Sequence, residues 1–295
     1  MSSVKLLILG QSKAGKTGSI CSLVNSGRIL RYLDFDNNAA PLRAFCNPDV
    51  RRNIQRVSCL DETTSEAEIT NAGDFQVVNR VSRFLSWPTM LSALKEWPAD
   101  KSNPLEWGNE SILVIDSLSA MSDAAKRGYL KLKGRSGGEL KWQEFRGVQN
   151  QIFEFLVHLG NTLSCPMIVI SHLQLNGPDL NTLDDIGTDA VAENLQQRVM
   201  EKKLEAADII DYSLGPISVG KAKSQILPSV FSGTLFCEAD DTGRWLVTKP
   251  RKSLQIGVPV ANLPAKLPIE TGLATILDSW APVKVKSPKQ IEKEN

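Results

Sequence analysis

The chain consists of short apolar runs that alternate with stretches in which apolar residues recur at helical spacing. Largely apolar runs over residues 4–9, 111–116 and 167–170 predict buried β-strands. Helical spacing predicts α-helices over residues 16–25, 89–96, 117–132, 139–159 and 189–207. Strands that alternate with helices favour an α/β fold, with a mostly parallel central β-sheet flanked by helices on both faces.

Three further segments are less regular. Residues 31–36 predict a short strand with two carboxylates at its C-terminal end, and residues 37–80 predict an irregular excursion that contains one short strand. Apolar and polar residues alternate over residues 228–248, which predicts a C-terminal β-hairpin with its turn at Asp241-Thr242-Gly243.

A glycine-bounded loop follows the first strand and completes the pattern G-x-x-x-x-G-K-[ST]. Such a loop binds phosphate through successive backbone N–H groups and the start of the next helix. Lys16 is expected to neutralise the β- and γ-phosphates of ATP, and the Thr17 hydroxyl to ligate Mg²⁺. The residues expected to contact the nucleotide are Gly10, Gln11, Ser12, Lys13, Ala14, Gly15, Lys16, Thr17 and Gly18.

Three polar residues, Asp36, Asp116 and His172, also fall at C-terminal ends of predicted strands. In a parallel sheet these ends share one edge, where ligands bind. Asp116 is the candidate carboxylate for Mg²⁺ opposite Thr17, with helix capping as the alternative. Asp36 is the candidate for orienting the attacking water, in competition with Asp34, although both could merely shape a turn. His172 is a candidate γ-phosphate sensor or a structural histidine.

A basic segment over residues 126–141 combines cations with Tyr129 and several glycines. A basic loop with an aromatic residue suits backbone contact and base stacking on single-stranded DNA. Lys131, Lys133 and Arg135 are the candidate DNA-binding residues, and a solvated charged loop is the alternative. Residues 174–200 are rich in acids that would repel phosphate, so no DNA contact is assigned there.

Composition and charge bear on nucleic-acid binding, metal binding and membrane insertion. A net charge of +1 over 295 residues gives no global argument for nucleic acid, so any basic surface must be local. The five cysteines are scattered, which predicts reduced, mostly buried thiols and no metal centre. The sequence offers neither a signal peptide nor an apolar stretch that approaches the roughly 18 residues of a membrane helix. We expect a cytoplasmic protein with one domain over residues 1–280 and a flexible tail over residues 281–295.

The chain resembles the RecA-like ATPases of the RecA/KaiC/DnaB superfamily, and among these the compact phage-encoded nucleotide-binding proteins associated with single-strand annealing and recombination. The resemblance covers residues 4–255 and is carried by the segments GQSKAGKT, YLDFDNN, ILVIDSLSAM, KWQEFRGVQNQIFEFLVHL and MIVISHLQL. It implies a RecA-like P-loop NTPase fold. It also implies that Asp36 is the catalytic carboxylate, where the family more often has glutamate, and that His172 is the γ-phosphate sensor.

The resemblance further implies a homo-oligomer, ring or filament, with active sites at subunit interfaces and a cation supplied in trans. Lys249 and Arg251 match the family's K-x-R element, and Lys221 with Lys223 forms a second basic cluster. A solvated basic turn is the alternative for either cluster. If the chain is phage-encoded, the host cytoplasm is the expected location.

The function that we expect is ATP hydrolysis with Mg²⁺, acting on single-stranded DNA in recombination, annealing or replication, with a single-strand-binding protein as a further partner. One alternative is a protein-directed motor or regulatory ATPase of packaging or partition type, without DNA dependence. A small-molecule kinase is a second, although the sequence has no convincing arginine-rich lid. An NTP-binding structural subunit with very slow hydrolysis is a third.

Overall fold

A computed structural model describes residues 3–69, 75–135, 139–176, 213–216, 226–250, 256–280 and 282. Its strands are β1 (Lys5–Gly10), β2 (Ile29–Asp34), β3 (Ile54–Ser58), β4 (Glu62–Ile69), β5 (Phe75–Arg83), β6 (Ser111–Asp116), β7 (Met167–Asn176), β8 (Ser213–Pro216), β9 (Gly233–Asp240), β10 (Gly243–Val247) and β11 (Lys266–Pro268). Its α-helices are α1 (Lys16–Ser19), α2 (Cys21–Asn25), α3 (Ala40–Phe45), α4 (Ser86–Lys95), α5 (Leu118–Leu132), α6 (Trp142–Thr162) and α7 (Gly272–Trp280).

The central sheet has the strand order β11-β10-β9-β1-β7-β6-β2-β3, and β8 pairs with β7 outside this path. The six strands from β9 to β3 in this order are parallel to their neighbours, whereas β10, β11 and β8 pair in the antiparallel sense. The predicted α/β class and mostly parallel sheet are therefore confirmed. The β9–β10 pair is the predicted C-terminal hairpin.

Alternate residues of the central strands enter two separate hydrophobic cores, one on each face of the sheet. On β1, Leu6 and Ile8 pack with α2, α3 and α7, whereas Leu7 and Leu9 pack with α4, α5 and α6. All four of these side chains are buried. Burial on both faces explains why the strand is a largely apolar run rather than an alternating one.

The prediction for residues 37–80 was wrong. This stretch contains α3, a 3₁₀ helix over Pro48–Asn53 and the strands β3 and β4. The strand β5 also begins within it, at Phe75. β4 and β5 pair with each other in a separate two-stranded sheet. The sequence ETTSEAEI of β4 is mostly polar, so it lacks the apolar alternation that marks a half-buried strand.

The helix predicted over residues 16–25 is divided into α1 and α2 at Ile20. The Ser19 hydroxyl donates to the Lys16 carbonyl at 2.7 Å, and the Ser22 hydroxyl donates to the Ser19 carbonyl at 2.8 Å. Such hydroxyls compete with the helical backbone bonds of the same turn. The helices predicted over 89–96, 117–132 and 139–159 are present as α4, α5 and α6.

Two further predictions, the helix over residues 189–207 and the flexible tail over residues 281–295, lie outside the described residues apart from Pro282. All five cysteines are buried and free. Within the described part of the chain, none of the helices has the length and apolar character needed to cross a membrane.

Candidate active site

The C-terminal ends of β1, β6 and β2 lie at one edge of the sheet beside His172, whereas β7 continues past this edge to Asn176. Gly10, the last residue of β1, is in register with His172 on β7. Asp116, the last residue of β6, is in register with Ile170 on β7 and with Asp34 on β2. Because β7 lies between β1 and β6, His172 stands between the glycine-bounded loop and Asp116. The three strand-end signals of the sequence thus meet in one place.

The loop after β1 contains two residues with positive φ, Lys13 and Gly15. Gly15 adopts the left-handed conformation with φ of 98°, which favours glycine. The Lys16 ammonium donates to the carbonyls of Gly10 and Gln11 at 2.9 and 2.7 Å, so it lies across the loop. Burial lowers the pKa of Lys16, against the opposing effect of nearby acidic groups. The loop therefore places a cation among its own backbone groups, as phosphate binding requires.

Thr17 and Asp116 are in direct contact beside this loop. The Thr17 hydroxyl donates to Asp116 Oδ2 at 2.7 Å, and the Tyr32 hydroxyl donates to the same oxygen at 2.7 Å. Burial raises the pKa of the Asp116 carboxyl to about 6, although both hydroxyl groups oppose the rise. A hydroxyl and a carboxylate are hard oxygen ligands, which Mg²⁺ prefers together with phosphate oxygens. Thr17 and Asp116 thus fit the expected magnesium site.

Asp34 and Asp36 have different surroundings. Asp34 is fully buried, and its Oδ2 accepts from Arg56 Nε at 2.8 Å within an ion pair. Its other oxygen accepts the backbone N–H of Asp36 at 3.1 Å. Asp36 is exposed and lines the cleft beside Lys16. Of the two competing carboxylates, Asp36 is therefore the one that can reach a bound nucleotide.

His172 is half-buried, with its Nδ1 3.4 Å from the Lys16 ammonium. Burial, and secondly the charge of Lys16, lower the pKa of the imidazole. The ring is therefore neutral at neutral pH and can exchange hydrogen bonds with a phosphate or with Lys16. The backbone N–H of His172 donates to the Ser119 hydroxyl at 3.2 Å, which connects the middle of β7 to the first turn of α5.

These groups line one open cleft of about 590 Å³, within the size range of ligand sites. The predicted residues that line it are Ser12, Lys13, Gly15, Lys16, Thr17, Gly18, Asp36, Asp116 and His172. Gly10 and Gln11 contribute the carbonyls that hold Lys16, and Ala14 is buried in the core beneath.

Sequence reasoning missed six residues of the cleft, among them Phe45 and Arg244. Phe45, at the end of α3, is 38% exposed and packs against Gly18. Arg244, on β10, has its Nε 3.5 Å from the carbonyl of Lys13. Phe45 falls in the stretch predicted to be irregular. Arg244 is an ordinary polar position of an alternating strand, so nothing local pointed to either residue.

The other predicted residues lie away from the cleft or outside the described chain. Lys249 is exposed two residues after β10 and is not among the lining residues, and Arg251 falls outside the described residues. Lys131 and Lys133 are exposed at the C-terminal end of α5. Arg135 forms an ion pair with Glu144 at 2.5 Å. Lys221 and Lys223 also lie outside the described residues.

No protein-family model and no curated protein sequence matches this chain. Among solved structures, one similar fold is the crystal structure of the RadB recombinase, with a TM-score of 0.41 and 14% sequence identity. The match covers 83% of this chain and 79% of that chain. Similarity at this level does not transfer a function, so the functional assignment rests on the residues of the cleft.

Proposed function

We propose that this chain is a Mg²⁺-dependent ATPase of RecA-like type that acts on single-stranded DNA in recombination, annealing or replication. The observation that carries the proposal is the contact of Thr17 with Asp116 at 2.7 Å, beside Lys16 and next to His172. A nucleotide-binding loop alone serves many functions. The loop, a metal-binding pair, an available carboxylate and a neutral histidine at one sheet edge together suit hydrolysis of the γ-phosphate.

Each group has a defined task in that reaction. Backbone N–H groups of the loop and Lys16 hold the phosphates, and Thr17 with Asp116 would hold Mg²⁺, which neutralises charge on the phosphate oxygens. Asp36 orients the attacking water and accepts its proton. His172 exchanges a hydrogen bond with the γ-phosphate, and its backbone contact with Ser119 passes the loss of that phosphate to α5.

The proposed DNA contacts are at the other end of α5. This helix starts beside Asp116 and extends for 15 residues, so Lys131 lies about 20 Å from the nucleotide cleft. Lys131 and Lys133 have no carboxylate partner among the described residues and can contact phosphates of DNA, whereas Arg135 must first leave Glu144.

We further propose that active sites form between subunits of a ring or filament. Lys249 is exposed and does not line the cleft of its own subunit, which suits a cation that acts on a neighbour. Arg251 is two residues further along the chain and is proposed for the same role. A cation near the γ-phosphate stabilises transition-state charge, and supplying it in trans makes hydrolysis depend on assembly.

The decisive experiment is ATP turnover with and without single-stranded DNA, at several protein concentrations. We expect stimulation by DNA and a rate per subunit that rises with protein concentration. Lys16→Ala should abolish turnover, because the cation that holds the β- and γ-phosphates is lost. Unchanged turnover in this variant would refute the assignment. Turnover that is indifferent to DNA would favour the protein-directed ATPase instead.

A further inference from the structure

A second pocket, separate from the nucleotide cleft, lies between α4, α5 and α6. Its volume is about 200 Å³, below the roughly 300–1,000 Å³ of sites for drug-sized ligands. Three of the residues that line it are aromatic, namely Phe84, Trp87 and Tyr129. The space is therefore small, open at one side and walled by flat rings.

Close packing holds these rings in place. The Phe84 ring lies directly against the backbone of α5 at Gly128, where a methyl group would be only 2.1 Å from the ring. Trp87 packs edge-to-face on Phe155 with ring centroids 5.4 Å apart. A pocket whose walls are fixed in this way is organised before its ligand arrives.

One buried polar group of the pocket has no partner. The indole N–H of Trp87 is inaccessible to solvent and finds no hydrogen-bond acceptor among the described residues. A buried donor without an acceptor is unfavourable, because it loses its bond to water and gains none in return. Because this N–H is closed to solvent, it lies behind the wall of the pocket and does not select between occupants.

Positive charge surrounds the same end of α5. Lys126 is paired with Asp123 at 2.8 Å, and Arg127 with Asp61 at 3.4 Å. Lys131 and Lys133 follow within one turn of Tyr129, and neither has a carboxylate partner within the part of the chain that is described. The Lys133 ammonium lies 5.7 Å from the centre of the Tyr129 ring. Free cations beside an aromatic pocket match a ligand that carries both phosphate and a flat ring.

We propose that this pocket receives one unstacked base of single-stranded DNA, whose phosphates lie on Lys131 and Lys133. The proposal rests on the proposed function, since it locates a base contact for the same strand. A nucleobase has flat faces that pack on aromatic rings, and its strand carries the phosphates that the two lysines attract. An apolar peptide is the competing occupant, and it does not account for the adjacent cations.

The test compares two strands of equal length and charge, an oligothymidylate and the corresponding abasic strand, by fluorescence anisotropy with the full chain. Wild-type protein should bind the intact strand about 5- to 100-fold more tightly, the range of one stacked base. Tyr129→Ala removes a wall of the pocket, and Ala125→Phe fills it. Both should bring this ratio close to 1 while affinity for the abasic strand stays the same.

Two further variants provide matched controls. Trp142→Ala removes an aromatic residue that is 71% exposed and lies outside the pocket, so it should leave the ratio unchanged. Lys133→Ala should weaken binding of both strands equally. It should also reduce the slope of log affinity against log salt concentration by about 1, because one phosphate contact is lost. Far-ultraviolet circular dichroism and urea unfolding verify that each variant is folded.

Three results would overturn the proposal. Equal affinity of the wild type for both strands would exclude a base contact while leaving DNA binding intact. A ratio that survives in Tyr129→Ala and Ala125→Phe would place the base elsewhere and favour a peptide in the pocket. Failure of the wild type to bind either strand would remove the DNA function itself, and this pocket assignment with it.

Discussion

Asp34 and Asp36 are separated by a single residue, yet their chemical situations differ. Both carboxylate oxygens of Asp34 accept hydrogen bonds, from Arg56 and from backbone N–H groups, so its charge stabilises the fold. Asp36 faces the cleft and is free to act on a ligand. The sequence favoured Asp36 but left Asp34 in competition, because both were predicted at the end of the same strand.

Replacing Asp36 by asparagine should therefore affect catalysis, whereas replacing Asp34 by asparagine should affect stability. We expect Asp36→Asn to slow hydrolysis about 10²- to 10⁴-fold, the usual contribution of a general base, while nucleotide affinity and stability stay the same. Asp34→Asn should lower the free energy of unfolding by about 2–3 kcal/mol, because Arg56 loses a charged hydrogen-bond partner. Single-turnover kinetics and urea unfolding measure the two effects. Loss of catalysis without loss of stability in Asp34→Asn would reverse the assignment.

Asp116 makes the stability of the metal-free protein depend on pH. Burial raises its pKa from 3.8 to about 6, so the folded state favours the protonated form. The contribution of the protonated Asp116 carboxyl to the free energy of unfolding is fully present below pH 4 and is lost as the pH rises through 6. At pH 7.5, Asp116→Asn should therefore stabilise the metal-free chain by up to about 3 kcal/mol, since each unit of pKa corresponds to about 1.4 kcal/mol.

The measurement is urea unfolding in the presence of EDTA at pH 7.5 and at pH 5, with wild type and variant in parallel. The advantage of the variant should shrink at pH 5, where the wild-type carboxyl is largely protonated in the folded state. The same variant should lose Mg²⁺-dependent turnover at pH 7.5. A stability difference that does not change between the two pH values would contradict the shifted pKa.

At the scale of elements, the β9–β10 hairpin brings a distant part of the chain to the nucleotide cleft. β9 pairs with β1 directly beneath the phosphate-binding loop, and β10 carries Arg244 to the carbonyl of Lys13. The two residues are 231 positions apart in the sequence. The hairpin thus contributes a cation to the cleft of its own subunit, in addition to the Lys249 that we propose for a neighbour.

Arg244→Ala should weaken ATP binding about 10- to 100-fold, because a charge-assisted hydrogen bond to an anion contributes about 1.5–3 kcal/mol. The free energy of unfolding should change little, since the side chain is exposed. Titration with a fluorescent ATP analogue gives the affinity. Lys95→Ala is the matched control, because it removes an exposed cation of α4 that does not line the cleft. Equal losses in the two variants would mean that only overall charge matters.

At the scale of the whole molecule, interface active sites predict rescue between two inactive variants. Lys16→Ala lacks a functional loop but keeps its Lys249, whereas Lys249→Ala has the reverse defect. In a 1:1 mixture the two variants should assemble at random through head-to-tail interfaces. One interface in four then combines an intact loop with an intact Lys249 of the neighbour, so about a quarter of the wild-type turnover should return. A mixture no more active than the separate variants would argue against a cation supplied in trans.

The sequence predicted the parts of the site that are local. The loop from Gly10 to Thr17 and the strand-end Asp116 follow from a glycine pattern and from apolar runs, and both are signals of neighbouring residues. The order of the strands could not be predicted, because the insertion of β7 between β1 and β6 depends on long-range packing. The entry of Arg244 into the cleft depends on that same order. The β4–β5 hairpin was missed because the strand sequence of β4 is polar.

The burial of all five cysteines sets how quickly the native chain reacts with an alkylating reagent. Only an accessible thiolate reacts, and burial raises the pKa of Cys237 to about 12. Modification must therefore wait until the structure opens locally, as amide exchange does. Cys237 lies in register with Gly10, and its carbonyl oxygen would be 2.8 Å from a methyl group there. The rate of its alkylation consequently reports how often the structure opens locally beneath the phosphate-binding loop.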